Sequence, residues 1–164
     1  MMTTPDPEQR ERLAYVTLVS IFLGLLGVFI ARERKERQEF DPRPRDVVLI
    51  ALATFRAGRI AAYERVTEPL RDPVTATVPD EYDAGENVVA EGTGVRKAIG
   101  ELVSCPICVG TWVASGLVYG LRIAPGPTRL VAAILGVSGL AEMLNAATEA
   151  MSWSGQAARK QSGS

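Results

Sequence analysis

Histidine is absent from this chain of 164 residues. That removes the usual general base near neutral pH, the commonest metal ligand and every Ser-His or Cys-His nucleophile system. Only two cysteines are present, Cys105 and Cys108, so a disulfide-stapled fold is excluded, and no second pair is available to relay electrons. Glycine-rich phosphate loops of the Walker or Rossmann type are missing, and no internal repeat is visible. There is no excess of positive charge either. The formal net charge is −1, which gives no global field for nucleic acid, and lysine is scarce beside arginine. Abundant Arg, Ala and Gly suggest a GC-rich bacterial genome.

What the chain does have is clustering. Apolar residues make up 47% and charged residues 23%, an unremarkable average, but the apolar ones gather at 13–31, 47–63, 109–124 and 130–141 while acids and bases fill the intervals. Leu13 to Ala31 holds no charge, and at about 1.5 Å per helical residue it spans roughly 28 Å, close to a bilayer's hydrocarbon thickness. The acids Asp6, Glu8 and Glu11 before it and the basic Arg32–Arg37 cluster after it mark a retained anchor rather than a signal peptide. The expected fold is therefore all-α, an integral membrane helical bundle of 3–4 transmembrane segments.

The expected organisation runs in order along the chain. A disordered terminus covers 1–12, an anchor 13–31, and a basic linker 32–46, in which Asp41-Pro42-Arg43-Pro44-Arg45 breaks the helix before Asp46 caps the next one. A membrane domain follows over 47–151, with helices near 47–63, 109–124 and 130–150. It encloses an acidic loop at 64–101, within which residues 96–102 suggest a short helix. Residues 152–164 are expected to be disordered. A hard cation at Asp80, Glu81, Asp83 and Glu86 is far less favoured than a solvated acidic loop.

The second segment carries Arg56 and Arg59 three residues apart on one helix face, each costing about 2.5–3.5 kcal/mol at a bilayer centre. Glu142, with Asn145 and Glu149 on the same face of the last helix, is the natural partner within the bundle. A location near the interface is the alternative. Lys and Arg counts on the two sides of a four-span arrangement tie at eight each, so charge alone leans toward the second segment dipping into the inner face, with 32–108 cytoplasmic. Gly116 and Gly120 stand in GxxxG spacing, which suits close helix packing or association of copies. Trp112, Tyr119 and Trp153 suit interfacial anchoring or helix packing.

Cys105-Pro106-Ile107-Cys108 carries the remaining chemistry. At i, i+3 on a first helical turn the Cα atoms fall within the separation a disulfide tolerates, and closing so short a loop would stabilise by only roughly 2 kcal/mol, which favours redox use over structural use. Pro106 suits the first helical position, leaving Cys105 or Ser104 as N-cap, where helix amides and the macrodipole favour a thiolate. Against redox chemistry, no thioredoxin-like βαβ pattern surrounds the motif. Three readings stay open: a packing pair buried at a helix start, a thiol–disulfide redox pair, and a metal knuckle. The last would bind zinc and needs ligands from a second copy or from Glu101. No other cofactor is implied.

Several phrases together resemble a bacterial family of small multi-pass membrane proteins, domain of unknown function 1360, over roughly residues 47–147. They are Ala53-Thr54-Phe55-Arg56 with Arg59, Thr67-Glu68-Pro69-Leu70-Arg71, the stretch from Gly100 to Ala114 around the cysteines, and Gly136-Val137-Ser138-Gly139. The chain departs from the family in having Ile107 where an aromatic residue is common between the cysteines, and in the added 13–31 span. The resemblance implies location in the membrane, a link to sporulation for some members, and no established activity. On these grounds the expected role is a non-enzymatic structural or interaction component of the bacterial cytoplasmic membrane. The expected partners are the bilayer and a second copy through the Gly116/Gly120 face, without nucleic acid, while the sequence identifies no protein partner. The alternative is redox or metal chemistry at Cys105 and Cys108.

Overall fold

A computed structural model describes residues 6–36, 41–79 and 86–161. Six helices dominate it: α1 Pro7–Glu36, α2 Pro44–Tyr63, α3 Glu68–Arg71, α4 Val95–Ser104, α5 Pro106–Ile123 and α6 Pro125–Gln161. Three of them, over Glu8–Lys35, Pro106–Ile123 and Pro125–Ser154, are long and apolar enough to cross a membrane. The chain is an integral membrane helical bundle. Its surface says the same: Val16, Val19, Leu23 and Val28 of α1 and Ile134, Val137 and Leu144 of α6 are all more than half exposed, and among the described side chains of α1 only Ala14 is buried. Aliphatic side chains displayed around a helix need hydrocarbon, not water, as their solvent.

The interior is built from small residues. Among the described residues the buried apolar positions are Ile50 and the alanines Ala14, Ala53, Ala62, Ala98 and Ala132, together with buried glycines such as Gly58, Gly110, Gly136 and Gly139. In lipid there is no gain in hiding a leucine from an equally apolar surround, so close backbone approach and dispersion hold the helices together. A Cβ added at Gly139 would stand 2.8 Å from the Leu52 carbonyl oxygen, and one at Gly58 would stand 2.5 Å from that of Pro106.

Side-chain pairs fix the helix directions. Phe22 meets Trp112 edge to face at 5.2 Å, Phe29 stacks on Tyr119 at 4.4 Å, and Glu33 pairs with Arg122 at 2.5 Å, so α1 and α5 run parallel. Asp46 accepts both Arg129 Nε and Nη2, at 3.2 and 3.1 Å, and Glu142 reaches Arg56, so α2 and α6 run parallel in the opposite sense. The central helix is α2, packed along both α5 and α6. The bundle thus has a loop end, holding Glu33, Asp46, Arg122 and Arg129, and a cap end that receives the start of α1, the close of α2 and the far part of α6.

The cap is the segment expected as an acidic loop, and much of it is ordered. A 3₁₀ turn at Arg65–Thr67 and α3 lead into β1 Thr75–Pro79, which pairs antiparallel with β2 Glu86–Ala90 in the register Thr75↔Ala90 to Pro79↔Glu86. Helix α4 lies on this hairpin because Gly100 lets it touch the Val74 carbonyl and Ala90. Thr67 and Arg71 explain the turn after α2. Thr67 Oγ1 donates to the Ile60 carbonyl at 2.6 Å, and Arg71 Nη1 donates to that of Glu64 at 2.7 Å, so the carbonyls left over at the helix end are satisfied and a cation meets the negative pole of its dipole.

Several sequence expectations change. Helix α2 packs along α5 and α6, with residues 41–43 before its start and 64–104 after its end, and it is not among the helices long and apolar enough to cross a membrane. Asp46 is not a cap, because Pro44 takes the first helical position after Arg43, which leaves the Asp46 carboxylate free for Arg129. The polar stretches at the two termini are partly helical, since α1 begins at Pro7 with Glu8 in its first turn and α6 continues to Gln161. Of the acidic run, Asp80, Glu81 and Asp83 lie outside the described residues.

Candidate functional site

The cysteine turn sits where α4 hands over to α5, at the junction of cap and bundle. Cys105 is the N-cap of α5 and is extended in backbone, while Pro106 occupies the first helical position. The Cys108 amide donates to Cys105 Sγ at 3.3 Å, so one of the helix's orphan N–H groups is met by sulfur. The Cys105 thiol is held below its ordinary range, first by a hydrogen bond from the Cys108 side chain and then by that amide. Both thiols are free; Cys105 is half-buried and Cys108 exposed.

Helix α2 positions this turn. Gly58 brings its backbone against the Pro106 carbonyl, and Gly110 touches the Thr54 methyl. On the other side Cys108 opens onto a groove of about 310 Å³ between α1, α4 and α5, walled chiefly by Leu18, Phe22, Leu102 and Trp112. Its polar groups besides Cys108 are Thr111 and Tyr15, whose hydroxyl donates to Glu101.

One face away, the two arginines of α2 meet the carboxylates. Arg56 Nη1 lies 3.0 Å from Glu142 and 2.7 Å from Glu64, while Arg59 Nε lies 2.6 Å from the other Glu142 oxygen. Arg59 also stands over the rings of Phe55 and Tyr63, at 5.9 and 5.7 Å from their centroids. Opposite charges that share hydrogen bonds in this way let α2 lie inside the bundle despite its two cations. Glu64, the second carboxylate, is one the sequence reading did not single out. It follows directly on the last residue of α2, on the turn where Arg56 and Arg59 point.

Other expected residues scatter. Asn145 donates to Glu149 at 3.0 Å on the exposed part of α6 and stays out of the arginine cluster. Gly120 packs within the chain, where a Cβ would meet Thr128 Oγ1 at 2.6 Å, whereas Gly116 faces open space. The close-approach glycines between α2 and α6 are instead Gly136 and Gly139. Around the two thiols no group of three or more potential metal donors gathers among the described residues, and Glu101 is engaged with Tyr15.

The family described as "Protein of unknown function (DUF1360)" matches residues 49–148, the part of the chain that contains the cysteine turn, the α2 arginines and Glu142. The chain is 35% identical over 102 residues to the sporulation protein YjcA of Bacillus subtilis (strain 168), a match covering 60% of this chain and 86% of that protein. No solved structure matches it.

Proposed function

The chain belongs to the DUF1360 family, and from that premise we propose that it is an integral component of the bacterial cytoplasmic membrane that serves spore formation through a thiol–disulfide pair, Cys105 and Cys108. The observation that carries this reading is the exposure of the pair. Cysteines kept for packing are among the most buried of residues, yet Cys108 is open and Cys105 half so. They stand one helical turn apart, with Cys105 on the amides of the α5 N-terminus. That environment favours the thiolate, which is the reacting form in disulfide exchange. The relative's link to sporulation supports the cellular context.

Acid-quenched differential alkylation in intact sporulating cells, with and without prior reduction, tests the state of the pair. Recovery of Cys105 and Cys108 as a disulfide in part of the population is expected. Alongside it, a Cys105→Ser/Cys108→Ser variant present at normal abundance in the membrane should fail to restore spore formation to a strain lacking the protein. Full restoration would sink the redox reading and favour the purely structural or interaction role.

A further inference from the structure

We propose that the groove between α1, α4 and α5 is a binding site for the ring of a membrane quinone, which serves as the two-electron oxidant of the Cys105/Cys108 dithiol. This rests on the redox reading above and names its partner.

Three observations converge on the groove. First, Cys108 is on its wall, so one thiol of the pair reaches the bound molecule directly while Cys105 stands behind it, joined by the Cys108 amide at 3.3 Å. Second, its lining is apolar and aromatic, with Phe22 and Trp112 meeting at 5.2 Å, and it lies along the first turns of α5 and residues 15–22 of α1, both of them helices long and apolar enough to cross a membrane. A soluble disulfide carrier, whose peptide must be desolvated, is ill matched to such a wall, whereas a flat apolar ring is well matched. Third, polar side chains on the wall are few, chiefly the Tyr15 hydroxyl, which donates to Glu101, and Thr111, so a largely apolar ring displaces little that must be desolvated. The volume of about 310 Å³ is at the small end for ligand pockets, enough for a ring whose tail lies outside along the exposed aliphatic face of α1. A quinone arriving through the lipid takes the electrons of the pair without a second cysteine pair or a nucleotide-binding loop, neither of which the chain has.

The chemistry balances. Cys108 sulfur adds to a ring carbon, forming a C–S bond as a ring oxygen takes a proton. Cys105 then attacks Cys108 sulfur, the S–S bond forms, and the C–S electron pair returns to the ring, whose second oxygen takes the other proton. The dithiol loses two electrons and two protons, and the quinone becomes the quinol.

The test uses the full chain in phospholipid nanodiscs, fully reduced, freed of reductant and kept anaerobic. Decyl-ubiquinone is the probe, with quinone absorbance and the alkylation mass shift of the pair as readouts. One quinol per disulfide is expected, with no quinol from Cys108→Ser. Trp112→Leu should raise the half-saturating quinone concentration about tenfold. If glutathione disulfide oxidises the pair and the quinone does not, the quinone site is refuted and the redox reading stands. If neither oxidises it, both fall. Equal quinone kinetics in the parent and Trp112→Leu would refute the groove as the site.

Discussion

Replacing Glu142 by methionine removes one carboxylate from two arginines. Arg56 keeps Glu64 at 2.7 Å, but Arg59, whose guanidinium met Glu142 at 2.6 Å, is left with only the Phe55 and Tyr63 rings. Breaking a buried pair costs about 3–5 kcal/mol and an exposed one about 0.2–1. Side-chain exposures of 20% for Arg56, 27% for Glu142 and 45% for Arg59 fall between those limits. Arg59 is also only one helical turn from the end of α2 and can reach for the interface. The expected loss is therefore about 2 kcal/mol. Removing the stranded cation as well, in Arg59→Met/Glu142→Met, leaves Arg56 and Glu64 matched and should bring stability back to within about 1 kcal/mol of the parent. The assay is reversible unfolding by SDS in mixed micelles, followed by far-ultraviolet circular dichroism, with Glu149→Gln as an exposed control expected to change stability by less than about 0.5 kcal/mol. A Glu142→Met effect no larger than the control's, or a double variant as unstable as the single one, would refute the reasoning.

Other consequences are equally direct. Gly139→Val should force α2 from α6, because its Cβ would meet the Leu52 carbonyl at 2.8 Å, at a cost of about 1–3 kcal/mol, whereas Gly116→Ala, with nothing within 4 Å, should be neutral or slightly stabilising in the same SDS titration. Alkylation of Cys105 requires the thiolate, so its rate should reach half-maximum at a lower pH than for a free cysteine. In Cys108→Ala, which removes the main cause of the lowered pKa, the midpoint should move up; an unchanged midpoint counts against the thiol contact. Single cysteines placed at Glu8, Asp72 and Ser152, in a background lacking Cys105 and Cys108, should all react with an impermeant maleimide from one side of sealed vesicles, and one at Arg34 from the other. Labelling of Arg34→Cys from the same side as Asp72→Cys would overturn the arrangement of α2. Arg71→Met should expose the uncapped end of α2 and lower stability by about 1–3 kcal/mol in the SDS titration, with no change expected in quinone reduction.

The membrane helices were readable because lipid imposes a length and an apolarity that few other environments demand. The Arg56/Arg59 and Glu142 partnership was readable for a related reason, since a cation in that setting must find an anion and few candidates exist. The cap was not. Its strands are five residues each, one ending in Pro79, and are held by α4 through Gly100, which no local pattern announces. Nor were the loop-end pairs Glu33–Arg122 and Asp46–Arg129 visible, because partners more than 80 residues apart are chosen by which helices run parallel. At the cysteine turn the helix start and its N-cap were legible, with Cys105 and Ser104 both open. The exposure of Cys108 depended on where α1 and α4 happened to leave space.

The Ala- and Gly-lined centre of the bundle inverts the familiar map of mutational tolerance. In a water-soluble protein the surface drifts and the large core residues are held. Here the outer shell can exchange one aliphatic or aromatic residue for another at little cost, since lipid conforms to whatever shape it meets. At Gly58, Gly100 and Gly139 even a single methyl group has nowhere to go. Saturation mutagenesis should therefore find its strictest constraint at the smallest side chains, and evolutionary drift in this chain is free to enlarge its outside but not its inside.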